Sequence, residues 1–217
     1  MWTNETFQIL LIATGETLLM TLASTLLAVI LGLPLGLIVT ITAKHHILPM
    51  PLIHRIFSLI INLGRSIPFV ILMIAVLPIT RILMGTTIGL RGAIFPLALS
   101  GAPFFARVVQ GALATVPYGL IEAGRAMGAR RRDILFKILL PESSQALIAG
   151  VMLLLINLLG YTAIAGAMGG GGLGDVANRY GYQRFEIAMT LYTVILLVLL
   201  VQITEWLGNK WQQRYNH

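Results

Sequence analysis

Few residues in this chain could do covalent chemistry, and their spacing argues against catalysis. His45, His46, His54 and His217 show no H-E-x-x-H spacing, no carboxylate pair stands out, G-x-S-x-G is absent and there is no cysteine. The usual metal-hydrolase, acid–base and nucleophile arrangements are therefore missing, and no metal or catalytic site is expected. Gly169, Gly171 and Gly174 satisfy G-x-G-x-x-G, but that fingerprint binds a dinucleotide only between the strand and helix of a βαβ unit, and here it follows an apolar run. No G-x-x-x-x-G-K-[ST] occurs either. If a nucleotide drives this protein, another subunit must bind it.

The elements that carry these residues belong in a membrane. Of 217 residues, 57% are hydrophobic and 11% charged, against roughly 25% charged in a soluble domain. Mean hydropathy is +0.88. Uncharged runs at 17–43, 143–174 and 187–204 approach or exceed the ~18 residues of a transmembrane helix. The pattern predicts an all-α membrane protein in a single domain, 1–217, with about five transmembrane helices at 15–42, 56–79, 91–114, 143–165 and 186–207. No inverted internal repeat is visible. Glu5 and Glu16 are the only charged residues among the first sixteen, which is not the positive n-region of a cleavable signal peptide.

The formal net charge of +7 is interleaved with apolar spans and lacks an aromatic-rich basic face, so topology explains it better than nucleic acid does. With the N-terminus outside, the inside segments hold Lys44, Arg55, Arg125, Arg130, Arg131, Arg132, Lys137, Lys210 and Arg214, and the outside holds Arg81, Arg91, Arg179 and Arg184. The positive-inside rule then favours N-out, C-in. Gly32, Pro34 and Gly36 in the first span permit a kink or close helix packing. Arg65, near Asn62, and Arg107 sit in or near spans, as anchors or as groups with a conformational or substrate role.

The long hydrophilic insertion 116–142 is the most informative stretch. Pro117 suits the first turn of a helix, and Leu120, Ala123, Gly124 and Met127 recur at i, i+3, i+4 and i+7, which places them on one face able to dock. Gly128 can end that helix in a left-handed conformation. A second helix is expected through Ile134, Leu135 and Ile138, stopping before Pro141. Glu122 either pairs locally with Arg125 at i+3 or faces a partner. Arg130, Arg131 and Arg132 open the second helix, where positive charge opposes the helix dipole. They suit anionic lipid or an acidic protein surface, and Lys137 is grouped with them.

Glu122-Ala123-Gly124, then Gly128 after three intervening residues, then Ile138-Leu139-Leu140-Pro141 after nine more, resembles the EAA loop of ABC importer permeases. Gly124 departs from the small Ala or Ser usual there, and the three arginines stand where Ser, Thr or Pro are common. Gly64 to Phe69, Ala102 to Arg107, Gly160 to Gly174 and Arg179 to Phe185 are similar to segments of the methionine importer permease family. The resemblance implies the type I ABC importer permease fold in a bacterial inner membrane. It also implies a coupling segment that includes Leu120, Glu122, Ala123, Gly124, Arg125, Met127, Gly128, Ala129, Ile138, Leu140 and Pro141 and seats in an ATPase cleft. The implied partners are a second copy, two ABC ATPase subunits that hold ATP and Mg, membrane lipid, and an extracytoplasmic methionine-binding protein delivering D- and L-methionine. No cofactor is expected in this chain.

A passage for methionine needs soft apolar walls and a few polar groups. Asn157 and Tyr161 are candidates for the pathway, and Ile164 and Met168 for an outer gate, although ordinary packing is the commoner role of a Met or Ile on a membrane helix. The competing class is an ion-coupled secondary transporter of a small amino acid, which would place carboxylates within the spans near the midplane.

Overall fold

The computed structural model describes residues 4–44 and 46–214, so His45 and His217 lie outside the described residues. Every regular element among them is helical. In order they are α1 (Asn4–Ile41), α2 (Pro51–Ser66), α3 (Phe69–Ala75), α4 (Leu77–Met84), α5 (Gly89–Ala114) and α6 (Tyr118–Ala126). Then come α7 (Arg131–Asp133), a π-helical turn (Ile134–Leu139), α8 (Leu140–Glu142) and α9 (Ser144–Ala165). A second π turn (Gly166–Gly170), α10 (Gly172–Val176), a third π turn (Ala177–Tyr182) and α11 (Ile187–Arg214) complete the chain. Four helices are long and apolar enough to cross a membrane, or five if the bent pair α2 and α3 counts as one span.

α1 starts at Asn4, well before the apolar run at 15–42. Glu5, Gln8, Thr14 and Glu16 lower the hydropathy of its first turns without breaking a helix, and Thr14 Oγ1 donates back to Leu10 O at 2.7 Å. Its 38 residues extend to about 57 Å at 1.5 Å per residue, nearly twice a ~30 Å hydrocarbon core. The helix therefore tilts or projects beyond the bilayer.

The buried face of α1 is a stripe of small residues, including Ala13, Thr17, Thr21, Ser24, Thr25, Ala28, Gly32 and Gly36. The hydroxyls of Thr17 and Thr21 return to the carbonyls of Ala13 (2.9 Å) and Thr17 (2.8 Å), and Ser24 Oγ donates across to Ile94 O of α5 at 3.2 Å. α5 answers with Ala98, Gly101, Ala102 and Ala106. The two backbones approach so closely that a Cβ on Gly32 would lie 2.6 Å from Ala102 O, and one on Gly36 2.6 Å from Ala106 O. Lipid tails are as apolar as leucine, so helices in a bilayer associate through this kind of close van der Waals contact.

The second expected span, 56–79, is broken. α2 and α3 meet at 103°, with Ile67 extended (φ −82°, ψ 122°) and Pro68 capping α3. Proline has no N–H to continue the ladder, and its ring drives the preceding residue out of the helical region. Hydropathy missed the break because Ile67 and Phe69 are themselves apolar. Phe69 is buried and stacks on Tyr161 of α9, centroids 4.8 Å apart and rings within 2° of parallel, which ties the bend to α9.

Both ends of the bundle are held by contacts distant in sequence. At one end the 42–50 loop joins α1 to α2, and His54 Nδ1 donates to Val39 O at 2.9 Å. At the other the glycine-rich segment after α9 folds back on α1. Replacing Gly36 by Leu should cost about 1–3 kcal/mol of stability, the usual toll of overpacking, and lower the melting temperature of the purified protein in detergent. An unchanged melting curve would mean that the α1–α5 seam is looser than described.

Candidate functional site

α6 and the helical stretch 131–142 form a compact pair outside the spans. Pro117 stands just before α6 as its N-cap (φ −59°, ψ 128°), one residue earlier than the expected first turn. The C-terminus is a Schellman motif: Ala129 N donates to Gly124 O at 3.0 Å and Gly128 N to Arg125 O at 2.9 Å. Gly128 supplies the left-handed turn at φ +76°, where a Cβ would crowd the following carbonyl.

The expected docking face divides. Gly124 is buried beside Ile121, and a Cβ there would lie 2.8 Å from Ile138 Cδ1. Leu120 and Ala123 point outward with Glu122, and Met127 is 80% exposed. Position i+4 after Leu120 falls at the edge of the stripe, near enough for the second helix to claim it. Ile121, Ile134 and Leu139 are buried together and anchor the pair to the bundle.

The second helix does not stop before Pro141. Pro141 lies in the first turn of α8, where the π turn hands over to α-helix and a missing N–H is tolerated. Leu140 precedes it as the first residue of α8. Ser143 Oγ donates to Leu139 O at 2.8 Å, and α9 follows directly. One charged grouping differs from expectation, and for Glu122 one of the two alternatives falls away. Lys137 pairs with Asp133 at 2.7 Å instead of joining the arginines, which lowers the Asp133 pKa and raises that of Lys137. Glu122 makes no ion pair with Arg125, because Arg125 Nη2 reaches across to donate to His46 O at 2.7 Å.

His46 is thereby held below the ordinary histidine pKa range, first by burial and then by the Arg125 charge, and its buried Nδ1 has no partner. Arg65 and Arg107 are exposed, with Arg107 Nη1 donating to Gln110 Oε1 at 2.9 Å.

Asn157, Tyr161, Ile164 and Met168 follow spacings of four, three and four, so they form one stripe on α9 and its π continuation. Ile164 and Met168 are exposed, and Asn157 Oδ1 is buried with no hydrogen-bond partner. Gly171 (φ 84°, ψ −169°) then takes a conformation open only to glycine and turns the chain into α10.

Two residues that the sequence did not single out for this role receive that turn. Glu16 Oε2 accepts from Gly172 N at 2.7 Å and Thr17 Oγ1 from Leu173 N at 2.9 Å. α1 thus caps α10 across 156 residues of sequence, as an N-cap side chain would cap its own helix. Asp175 and Arg179 pair on the following turn.

Apolar crossing helices with a rigid extramembranous helix pair define a polytopic helical membrane protein. Residues 32–216 match the family described as the inner membrane component of binding-protein-dependent transport systems, and the chain belongs to that family. It is 44% identical to the probable D-methionine transport system permease protein MetI of Pasteurella multocida over 99% of both chains. It is also 42% identical to the methionine import system permease protein MetP of Bacillus subtilis, covering 78% of this chain and 76% of that one. The fold superposes with a TM-score of 0.96 on a chain of the MetNI methionine ABC transporter in an inward-facing conformation, at 39% identity and over 98% and 99% of the two chains. The architecture is the type I ABC importer permease fold.

Two outcomes follow. Glu16→Ala leaves the Gly172 amide uncapped and should cost about 1–2 kcal/mol, seen as faster amide exchange in α10. Exchange equal to wild type would mean that the cap is not maintained. His46 favours its neutral form when folded, while an unfolded histidine titrates near ~6.5. The unfolded chain therefore binds more protons as pH falls, so this contribution is complete above that value and is lost as pH drops through the folded pKa. Between pH ~7.5 and ~5 the melting temperature of wild type should fall more steeply than that of His46→Gln; parallel curves would remove His46 as the cause.

Proposed function

We propose that this chain is the membrane-spanning permease of an ATP-driven importer for D- and L-methionine, working as a homodimer on two separate ABC ATPase subunits and supplied by an extracytoplasmic binding protein. ATP and Mg belong to the ATPases, and this chain holds no nucleotide. It lies in a bacterial inner membrane with the N-terminus outside and the C-terminus inside, an orientation favoured by the cations gathered at the end that carries the 42–50 loop and 116–142.

The observation that carries the reading is the exposed apolar tip of a rigid helix pair. Leu120, Ala123 and Met127 stand out from α6, and Phe136 is 62% exposed on the helix beside it. Buried Ile121, Ile134 and Leu139 and the Schellman cap hold that tip so that a push on it moves the whole pair. The stretch 131–142 runs into α9, which bears the Asn157 to Met168 stripe. ATP binding draws the two coupling segments together, α9 transmits the shift, and the passage opens outward; hydrolysis resets it. Ile164 and Met168 form the outer gate, and Asn157 and Tyr161 line the route. An ion-coupled transporter needs free intramembrane carboxylates, whereas Glu16 and Asp175 are both engaged within the chain.

The test is reconstitution with the ATPase and binding protein in liposomes, measuring labelled methionine uptake with and without ATP. Met127→Glu touches no buried partner, so the fold should survive. ATPase retention and uptake should each fall by more than about tenfold, the factor for 1.4 kcal/mol. A variant that behaves like wild type would overturn the docking assignment. An assembled wild-type complex indifferent to methionine would overturn the substrate alone.

A further inference from the structure

Between the 42–50 loop and the coupling segment lies a cleft of about 510 Å³ lined by Lys44, His46, Tyr118, Arg125 and Arg131, with Ile47, Pro49, Ala129 and Ile134 as its apolar walls. Three of the lining residues are Lys or Arg and none is acidic. The nearest acid in sequence, Asp133, is bound to Lys137, and Arg125 and Arg131 have no carboxylate partner among the described residues. Lys44 is likewise without one. Like charges held together at the edge of a low-dielectric bundle repel one another unless an anion joins them.

The cleft is also preorganised. The Arg125 guanidinium is fixed by one hydrogen bond to His46 O, at 2.7 Å, and a guanidinium has five N–H donors in all, so others remain for a ligand. Tyr118 brings a hydroxyl, and His46 has a buried Nδ1 without a partner. The apolar walls come from the loop that follows α1 and from the helix pair, at the level where the long apolar helix α1 ends. Multiple cationic donors beside apolar wall residues suit a phosphate that carries acyl chains.

We propose that this cleft binds the phosphate headgroup of an anionic phospholipid. Basic residues gathered immediately cytoplasmic of a transmembrane helix are expected to attract such headgroups. The bound phosphate bridges Lys44 on the α1–α2 loop to Arg131 on the coupling segment. It thereby fastens the segment to the bundle through a ligand as well as through Ile121 and Ile134. Naming the inner leaflet rests on the orientation given under Proposed function; the binding itself does not.

The experiment is native mass spectrometry of the purified permease with its ATPase, after incubation with phosphatidylglycerol or phosphatidylcholine. Wild type is compared with Lys44→Gln/Arg131→Gln and with Arg81→Gln/Arg91→Gln, which removes the same charge from the opposite end. Wild type should retain phosphatidylglycerol in preference to phosphatidylcholine. The cleft variant should bind it about tenfold or more weakly, and the control should match wild type at an equal melting temperature. Equal retention by all three proteins, or equal loss in both variants, would overturn the site. Displacement of the lipid by millimolar glycerol 1-phosphate would move the source of the phosphate from bilayer to solution and overturn the lipid assignment. Loss of the ATPase from the cleft variant with lipid retention unchanged would show that an acidic protein surface fills the cleft instead. If wild type fails to hold the ATPase at all, the importer reading fails, and lipid counts on the permease alone still decide the site.

Discussion

The contact of α1 with α5 leaves room for a hydrogen atom and little else at Gly32 and Gly36. In water a seam like this would be a modest supplement to hydrophobic burial. In lipid it is the main means by which two helices prefer each other to the solvent. α9 packs on both α1 and α5, α10 packs on α1, and α11 packs on α9 and α10 in turn. The polar side chains of α1 are subordinated to the same demand, since Thr17 and Thr21 return their hydroxyls to their own helix.

Upon this frame the chain places two unlike ends. One is a cationic, capped helix pair with bulky apolar groups facing outward. The other is a glycine-rich fold-back whose amides are received by Glu16 and Thr17. α9 joins them. Its lower end continues the helix pair and its upper end leads into the glycines, so a disturbance at either terminus reaches the Asn157 to Met168 stripe through continuous helix rather than through loops.

Much of this was legible in the amino-acid sequence. Long apolar runs marked α5, α9 and α11, and Gly128, four residues beyond Gly124, marked the turn that ends α6. What hydropathy could not see was geometry inside an apolar run. Pro68 was the signal for the break, but its neighbours Ile67 and Phe69 kept the average high. The start of α1 was hidden for the opposite reason, because Glu5 and Glu16 look like the end of a span to any averaging rule. The caps made by Glu16 and Thr17 had no local signature at all, since their partners lie at Gly172 and Leu173. The Asp133–Lys137 pair was readable at its i, i+4 spacing, yet the neighbouring arginines drew attention to total charge instead. Within α6, periodicity put Gly124 with the outward residues; only the position of Ile138 decides that it faces inward.

The π turn at Ile134–Leu139 bears on more than local shape. A π turn corresponds to one residue inserted into an α-helix, and each residue advances the helix by about 100°. Everything that follows is rotated by that amount relative to the outward face of the helix pair. The angular relation between Phe136 and Tyr161 is thus an indexing between the two ends of a shaft. A six-residue irregularity therefore helps set which way the stripe faces relative to the helix pair.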